Sequence, residues 1–198
     1  MTNDQTDKER IEAIIANARC NAYSDVNFVK HADELLRPGH LPYFKDKLRG
    51  KPLLDLGCGH VEAMKAMALF ASSCDVSHYV AVDRFCGWGR SYAEDLKNKG
   101  VVDAHFYHED MLQFLAEQDS NSANVWMAGI DDTILRSREY RNELVQQIAR
   151  VVPSGGIAFG VGSSILEGLS AHGLQRKTEI LGNAIFGELF SYELVFEK

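Results

Sequence analysis

The chain reads as an α/β protein built on a doubly wound, mostly parallel sheet with helices on both faces. Three observations predict this. Short apolar strands alternate with helical stretches; several of the strands end in a carboxylate; and the first strand of the series runs straight into a turn of alternating glycines. Alternation of this kind puts crossover helices between parallel strands, and such sheets bind ligands outside the carboxyl ends of their strands.

Residues 1–7 are polar and expected to be disordered. Residues 8–20 carry Ile11, Ile14, Ile15 and Ala18 on one helical face. Residues 21–50 hold Tyr23, Phe28, His31, Leu35, Leu36, Tyr43 and Phe44, enough apolar and aromatic surface to pack as short helices. Two placements are open for this extension: over the carboxyl edge of the sheet, as a lid, or on the sheet's flank. Lys45, Lys47, Arg49 and Lys51 alternate along its end and read as a solvated face.

Residues 53–61, Leu-Leu-Asp-Leu-Gly-Cys-Gly-His-Val, form an apolar strand that gives out at Asp55 and turns through Gly57 and Gly59. Lacking a Cβ, these glycines can take positive φ and let the backbone approach a ligand closely. A carboxylate at Asp55 disfavours a phosphate as the nearest ligand group, because like charges repel, and favours an amine, a hydroxyl or water. A helix is expected over residues 62–71 and a polar loop over 72–77.

Residues 78–83, His-Tyr-Val-Ala-Val-Asp, make a second strand ending in Asp83, 26 positions after Gly57. There a carboxylate can accept from both hydroxyls of a ribose. A third strand over residues 104–107 runs into His108, Glu109, Asp110 and Met111. Asp110 can accept from an exocyclic amine such as that of adenine, with Met111 packed on the ring. A fourth run, 124–130, ends in Asp131 and Asp132, and residues 148–162 read as a helix end, a Pro/Gly turn and a fifth strand.

In this order the motifs resemble the class I S-adenosylmethionine-dependent methyltransferases, over residues 51–198. The resemblance implies a seven-stranded sheet, with sixth and seventh strands at 175–181 and 192–198 and the last inserted antiparallel. It also implies S-adenosylmethionine as cofactor, with Asp55, Gly57 and Gly59 at its methionine end, Asp83 on ribose, and Asp110 with Met111 framing adenine. Cys58, Arg84 and Asp131 complete the implied cofactor-facing set. Pro153-Ser154-Gly155-Gly156 matches the family's Pro-Gly-Gly turn. Val61 stands where many members have a third glycine, a mild departure because that glycine mainly eases helix-on-strand packing.

Composition narrows the partners. A formal net charge of −7, with no run of basic residues, argues against duplex nucleic acid. No apolar run approaches a membrane span. Cys20, Cys58, Cys74 and Cys86 show no CxxC spacing and no signal peptide is evident, so a reduced, cytoplasmic protein is expected. Cys58, His60, Cys74 and His78 match no familiar zinc spacing, and no metal is expected.

Methyl transfer asks a protein mainly for proximity and orientation, with a base where the nucleophile arrives protonated. The sequence announces no catalytic residue. Asp131, Asp132, His31, His40 and His108 are the polar groups to examine, and the two aspartates also suit an N-cap for a helix starting near Thr133. After the fourth strand stand Gly129-Ile130-Asp131-Asp132 rather than the Asn-Pro-Pro-aromatic motif of amino-methylating nucleic-acid enzymes, and there is no Pro-Cys pair. A small-molecule or peptide acceptor is therefore expected. A catalytically silent cofactor-binding protein and a nicotinamide-dependent oxidoreductase are the alternatives, the latter disfavoured by Asp55 beside a pyrophosphate.

Overall fold

The computed structural model describes residues 41–59, 61–87, 89–130, 137–161, 163–177 and 193–198. Its elements follow as α1 (Leu41–Leu48), β1 (Leu53–Leu56), α2 (Val61–Ser73), β2 (Tyr79–Val82), α3 (Gly89–Asn98), β3 (Ala104–Tyr107), α4 (Met111–Glu117), β4 (Asn124–Ala128), α5 (Arg138–Val151), β5 (Ile157–Val161), a 3-10 helix (Ser164–His172), β6 (Gln175–Arg176) and β7 (Glu193–Glu197). Seven strands make one sheet in the order β3-β2-β1-β4-β5-β7-β6. β1 pairs in parallel with β2 and β4, β2 with β3, and β4 with β5. β7 lies antiparallel to both β5 and β6. The strand order reverses between β1 and β4, the switch point at which a doubly wound sheet opens a crevice.

The period-two alternation of a strand sorts the core into two layers. Leu54, Leu56, Val80, Val82, Val125 and Met127 pack with Phe114, Leu144, Val145 and Ile148 of α4 and α5. Leu53, Tyr79, Ala81, Trp126 and Phe159 point the other way, onto α1, α2 and α3. α2 is apolar almost all round, with Met64, Met67, Phe70 and four alanines buried, as a helix pressed between neighbours requires. Gly100 ends α3 with φ +67°, its N–H bonded to the Lys97 carbonyl. The Lys198 ammonium caps the far end of α5 through the carbonyls of Ala149 and Val152, each at 2.9 Å.

Several element boundaries differ from the sequence expectation: β1 runs past Asp55 to Leu56 and β2 covers Tyr79–Val82 rather than 78–83. α2 runs two residues further, to Ser73. β4 stops at Ala128 because Gly129, at φ +65°, leaves the extended region. α5 begins at Arg138, where Ser137 Oγ accepts the Tyr140 N–H; the helix start expected near Thr133, with Asp131 and Asp132, lies outside the described residues. β6 covers Gln175–Arg176 and has ended by Lys177, short of the expected 175–181, of which 178–181 lie outside the described residues.

Of the 1–50 extension, residues 1–40 lie outside the described residues, and with them the expected helix over 8–20, His31 and His40. Its described end, α1, packs on the sheet's flank. Phe44 and Leu48 are fully buried, the Phe44 ring lying 5.4 Å from that of Phe70 and 5.1 Å from that of Phe159. Lys47 Nζ reaches Glu197 at 2.8 Å. Glu197 pairs with Ile157, the first residue of β5, so this contact sits at the amino-terminal edge of the parallel strands, opposite the glycine turn. Lys45 and Arg49, read as simply solvated, both pair with Asp75. No described helix is long and apolar enough to cross a membrane.

Candidate functional site

The carboxyl ends of β1, β2, β3 and β4 bring together Gly57–Gly59, Asp83–Cys86, His108–Met111 and Gly129–Ile130. The glycine turn is stapled to the neighbouring strand: the amides of Gly57 and Cys58 both donate to the Val82 carbonyl, at 2.8 and 3.2 Å. Gly57 and Gly59 take φ of +71° and +61°, a conformation that charges any L side chain with strain. Their surroundings differ. A Cβ on Gly57 would collide with the Ile130 side chain and approach Met111 Sδ at 3.6 Å, whereas among the described residues one on Gly59 would meet only the Gly57 carbonyl oxygen, at 3.8 Å. At Gly57 the protein itself fills the Cβ position, and among the described residues the side at Gly59 is open.

Asp55 is buried at 2% exposure on the α2 side of the sheet, and the Tyr79 hydroxyl donates to its carboxylate. Burial raises the Asp55 carboxyl to about 7; the Tyr79 hydrogen bond works against that rise and the Asp83 charge adds to it. Burial and the Asp55 charge in turn raise the Tyr79 phenol, so the proton of this pair stays on the tyrosine oxygen. The sequence placed a hydroxyl, an amine or water against Asp55; the hydroxyl found there belongs to the protein. Cys58 faces the same core, its thiol pushed up by burial.

Asp83, 8% exposed, spans the turn and its own loop. Its Oδ2 accepts the Gly59 amide at 3.0 Å and its Oδ1 the Phe85 amide at 2.7 Å. Cys86 adds a second tie between the turn and this loop, its thiol donating to the Gly59 carbonyl at 2.6 Å; burial and the adjacent Asp83 push that thiol up to about 12. Each Asp83 oxygen keeps further lone-pair capacity, since a carboxylate offers about four acceptor sites. A vicinal diol fits that remaining capacity.

Asp110 caps α4, its Oδ1 accepting the Leu112 amide at 2.9 Å and the Tyr140 hydroxyl at 2.8 Å. Its Oδ2 meets Arg84 Nη1 at 3.3 Å. Arg84 stacks over the half-exposed Phe85 ring, 4.5 Å from its centroid. Met111 is partly buried and packs toward Ile130 and Gly57. His108, a candidate for acid-base work, is exposed and uses Nε2 on the Arg84 carbonyl at 2.8 Å. Ser163, just after β5, is buried, and its hydroxyl has no hydrogen-bond partner among the described residues.

The structure thus draws Gly59, Asp83, Arg84, Asp110 and Met111 into one group, with Gly57 and Cys58 behind the turn and Asp55 beneath it. Asp131, Asp132 and His60 lie outside the described residues. Among the described residues, no three His, Cys, Asp or Glu side chains gather as a metal-binding group. Sequence reasoning missed Tyr79, Cys86 and Tyr140 as members. Tyr79 carried a legible signal, a polar ring in a strand on the same face as Asp55. Tyr140 carried none, standing 30 residues from Asp110 on another helix.

No protein-family model and no curated protein matches the chain. Solved structures do. The yhhF protein from Escherichia coli, provisionally named a methyltransferase, shares 13% identity over 82% of this chain and 84% of its own, with a TM-score of 0.56. A protein from Galdieria sulphuraria, provisionally named a sarcosine dimethylglycine methyltransferase, shares 18% identity over 69% of this chain with a TM-score of 0.52; this chain spans 58% of that protein's length. Geranyl diphosphate methyltransferase, solved in complex with S-adenosylmethionine, shares 13% identity over 80% of this chain and 73% of its own, at a TM-score of 0.51.

Proposed function

We propose that this chain, which has the fold of the class I S-adenosylmethionine-dependent methyltransferases, binds S-adenosylmethionine at the carboxyl ends of β1 to β4 and transfers its methyl group to a small-molecule or peptide acceptor. One observation carries the reading: the Gly59 amide is committed to the Asp83 carboxylate. In a pyrophosphate-binding turn the backbone amides must be free for phosphate oxygens, and a carboxylate in their place repels a dinucleotide. A carboxylate so placed instead suits the uncharged diol of a nucleoside whose tail is not phosphorylated.

In this reading Asp83 receives the ribose hydroxyls, Asp110 the adenine amine through its Oδ2, and Met111 the face of the base. Among the described residues the side of the turn at Gly59 is open and leaves room for the methionine end, with Gly57, Cys58 and Asp55 holding the turn's shape and Arg84 bracing Asp110; Asp131 is the remaining residue of the proposed cofactor-facing set. When bound, the cofactor supplies an electrophilic methyl group on a sulfonium. The chain's own contribution is orientation of the two reactants and exclusion of water. The net charge of −7 favours a neutral or amine-bearing acceptor over a phosphorylated one. The free thiols of Cys58, Cys74 and Cys86 suit a reducing, cytoplasmic setting.

Titration calorimetry against S-adenosylmethionine and NAD tests the cofactor: binding of the first and not the second is expected, and the reverse would overturn the reading. Release of S-adenosylhomocysteine on incubation with a metabolite pool tests the transfer. A cofactor-binding protein without turnover is the second reading. It is favoured by the engagement of His108, Asp83 and Asp110 in protein hydrogen bonds, and it predicts binding without release.

A further inference from the structure

We infer that Tyr140 is a positioning residue that makes this site selective for a 6-amino over a 6-oxo purine, by fixing which oxygen of Asp110 faces the base. The inference rests on the cofactor reading above and goes beyond it, since it assigns the selectivity to a side chain on a separate helix. Three elements meet at this carboxylate. The α4 backbone and α5 hold Oδ1, through the Leu112 amide at 2.9 Å and the Tyr140 hydroxyl at 2.8 Å. The loop after β2 holds Oδ2 through Arg84 Nη1, at the longer distance of 3.3 Å.

Two donors saturate Oδ1, because an oxygen of a carboxylate offers about two lone-pair sites. Among the described residues Oδ2 has one donor, which leaves a single acceptor position, fixed in direction because the carboxylate plane is set by the Oδ1 pair. An exocyclic amine is a donor and can fill it. A keto oxygen in the same place is an acceptor facing an acceptor, and is rejected. Without the Tyr140 hydroxyl, Oδ1 regains a free lone pair and the carboxylate can turn, so the geometry that tells amine from oxo is lost while the charge and the α4 cap remain. Burial and the Asp110 charge both push the Tyr140 phenol upward, which keeps it an O–H donor across the physiological range.

The test compares S-adenosylhomocysteine with S-inosylhomocysteine, in which a keto oxygen replaces the 6-amino group and N1 carries a proton, by calorimetry on the wild-type chain and on Tyr140→Phe, with thermal unfolding followed alongside. The wild-type chain is expected to prefer the amino compound by at least about a hundredfold, and Tyr140→Phe to shrink that preference by about tenfold, chiefly by weakening the amino ligand. A merely structural role for Tyr140 would weaken both ligands alike and leave their ratio unchanged, which would overturn the inference. Arg84→Met, which removes the donor from Oδ2 while leaving the Oδ1 pair, is expected to keep the preference; losing it there as in Tyr140→Phe would also overturn the assignment. If the wild-type chain binds neither compound, the cofactor reading itself falls and takes this inference with it. Wild-type discrimination with an unaltered ratio in Tyr140→Phe removes the Tyr140 assignment alone.

Discussion

Replacing Asp55 by asparagine should remove a pH dependence from the stability of this fold. The carboxyl is buried between β1 and α2, and burial raises it from its ordinary 3.8 to about 7. Between those values the folded chain binds more protons at this position than the unfolded chain, so stability is full below about pH 4 and falls as pH rises toward 7. At about 1.4 kcal/mol per pH unit, the fully ionised group costs the fold about 4 kcal/mol, an upper figure because water penetration relaxes buried charge. Asparagine keeps the shape and the acceptor for the Tyr79 hydroxyl but does not titrate. Its amide protons find no ready partner, a pH-independent loss of about 1–3 kcal/mol. That offset cancels when the difference between variant and wild type is followed with pH. Urea unfolding monitored by circular dichroism at pH 4, 6 and 8 should show the variant gaining on the wild type by up to about 4 kcal/mol across this window. Parallel stability curves would refute the argument, because they would mean that Asp55 does not change its proton occupancy on folding.

Asp83→Ala should weaken S-adenosylmethionine binding by about 1.5–3 kcal/mol, roughly 10- to 150-fold, since the ribose loses a charged acceptor and the Gly59 and Phe85 amides lose theirs; an unchanged dissociation constant by calorimetry would sink the ribose assignment. Gly57→Ala and Gly59→Ala share a backbone strain of about 1–2 kcal/mol, but only the first drives a methyl into Ile130 and should lose about 1–3 kcal/mol more. Equal denaturation midpoints for the two would contradict the packing described at Gly57. Phe44→Ala should cost about 3–5 kcal/mol in chemical unfolding, as deletion of a fully buried aromatic does; a loss below about 1 kcal/mol would detach α1 from the core.

Much of the fold was legible in the sequence because its signals are local. A strand of four residues with apolar side chains on both faces, a glycine pair at a strand end and a carboxylate closing each strand are short-range patterns, and β1, β2, β3 and the turn appear where they place them. The residues gathered at the carboxyl edge, Gly59, Asp83, Asp110 and Met111, were legible for the same reason, since each belongs to a motif only a few residues long. What the sequence by itself could not determine is what each polar group touches. Asp55 reads as a ligand contact from its place at a strand end, yet the pairing of β1 with β2 puts Tyr79 on the same face and seals the two together. Gly57 reads as a gap left for a ligand, yet the crossover to β4 returns Ile130 to fill the space. Tyr140 reads as one more residue of an amphipathic helix until α5 packs beside α4 and delivers its hydroxyl to Asp110. The sequence determines which side chains stand at the end of each strand, because a strand's direction and its period of two are properties of a few consecutive residues. Only the tertiary structure decides which of those groups remain open to a ligand, because hydrogen bonds between elements 24 to 30 residues apart depend on how strands and helices come to lie side by side.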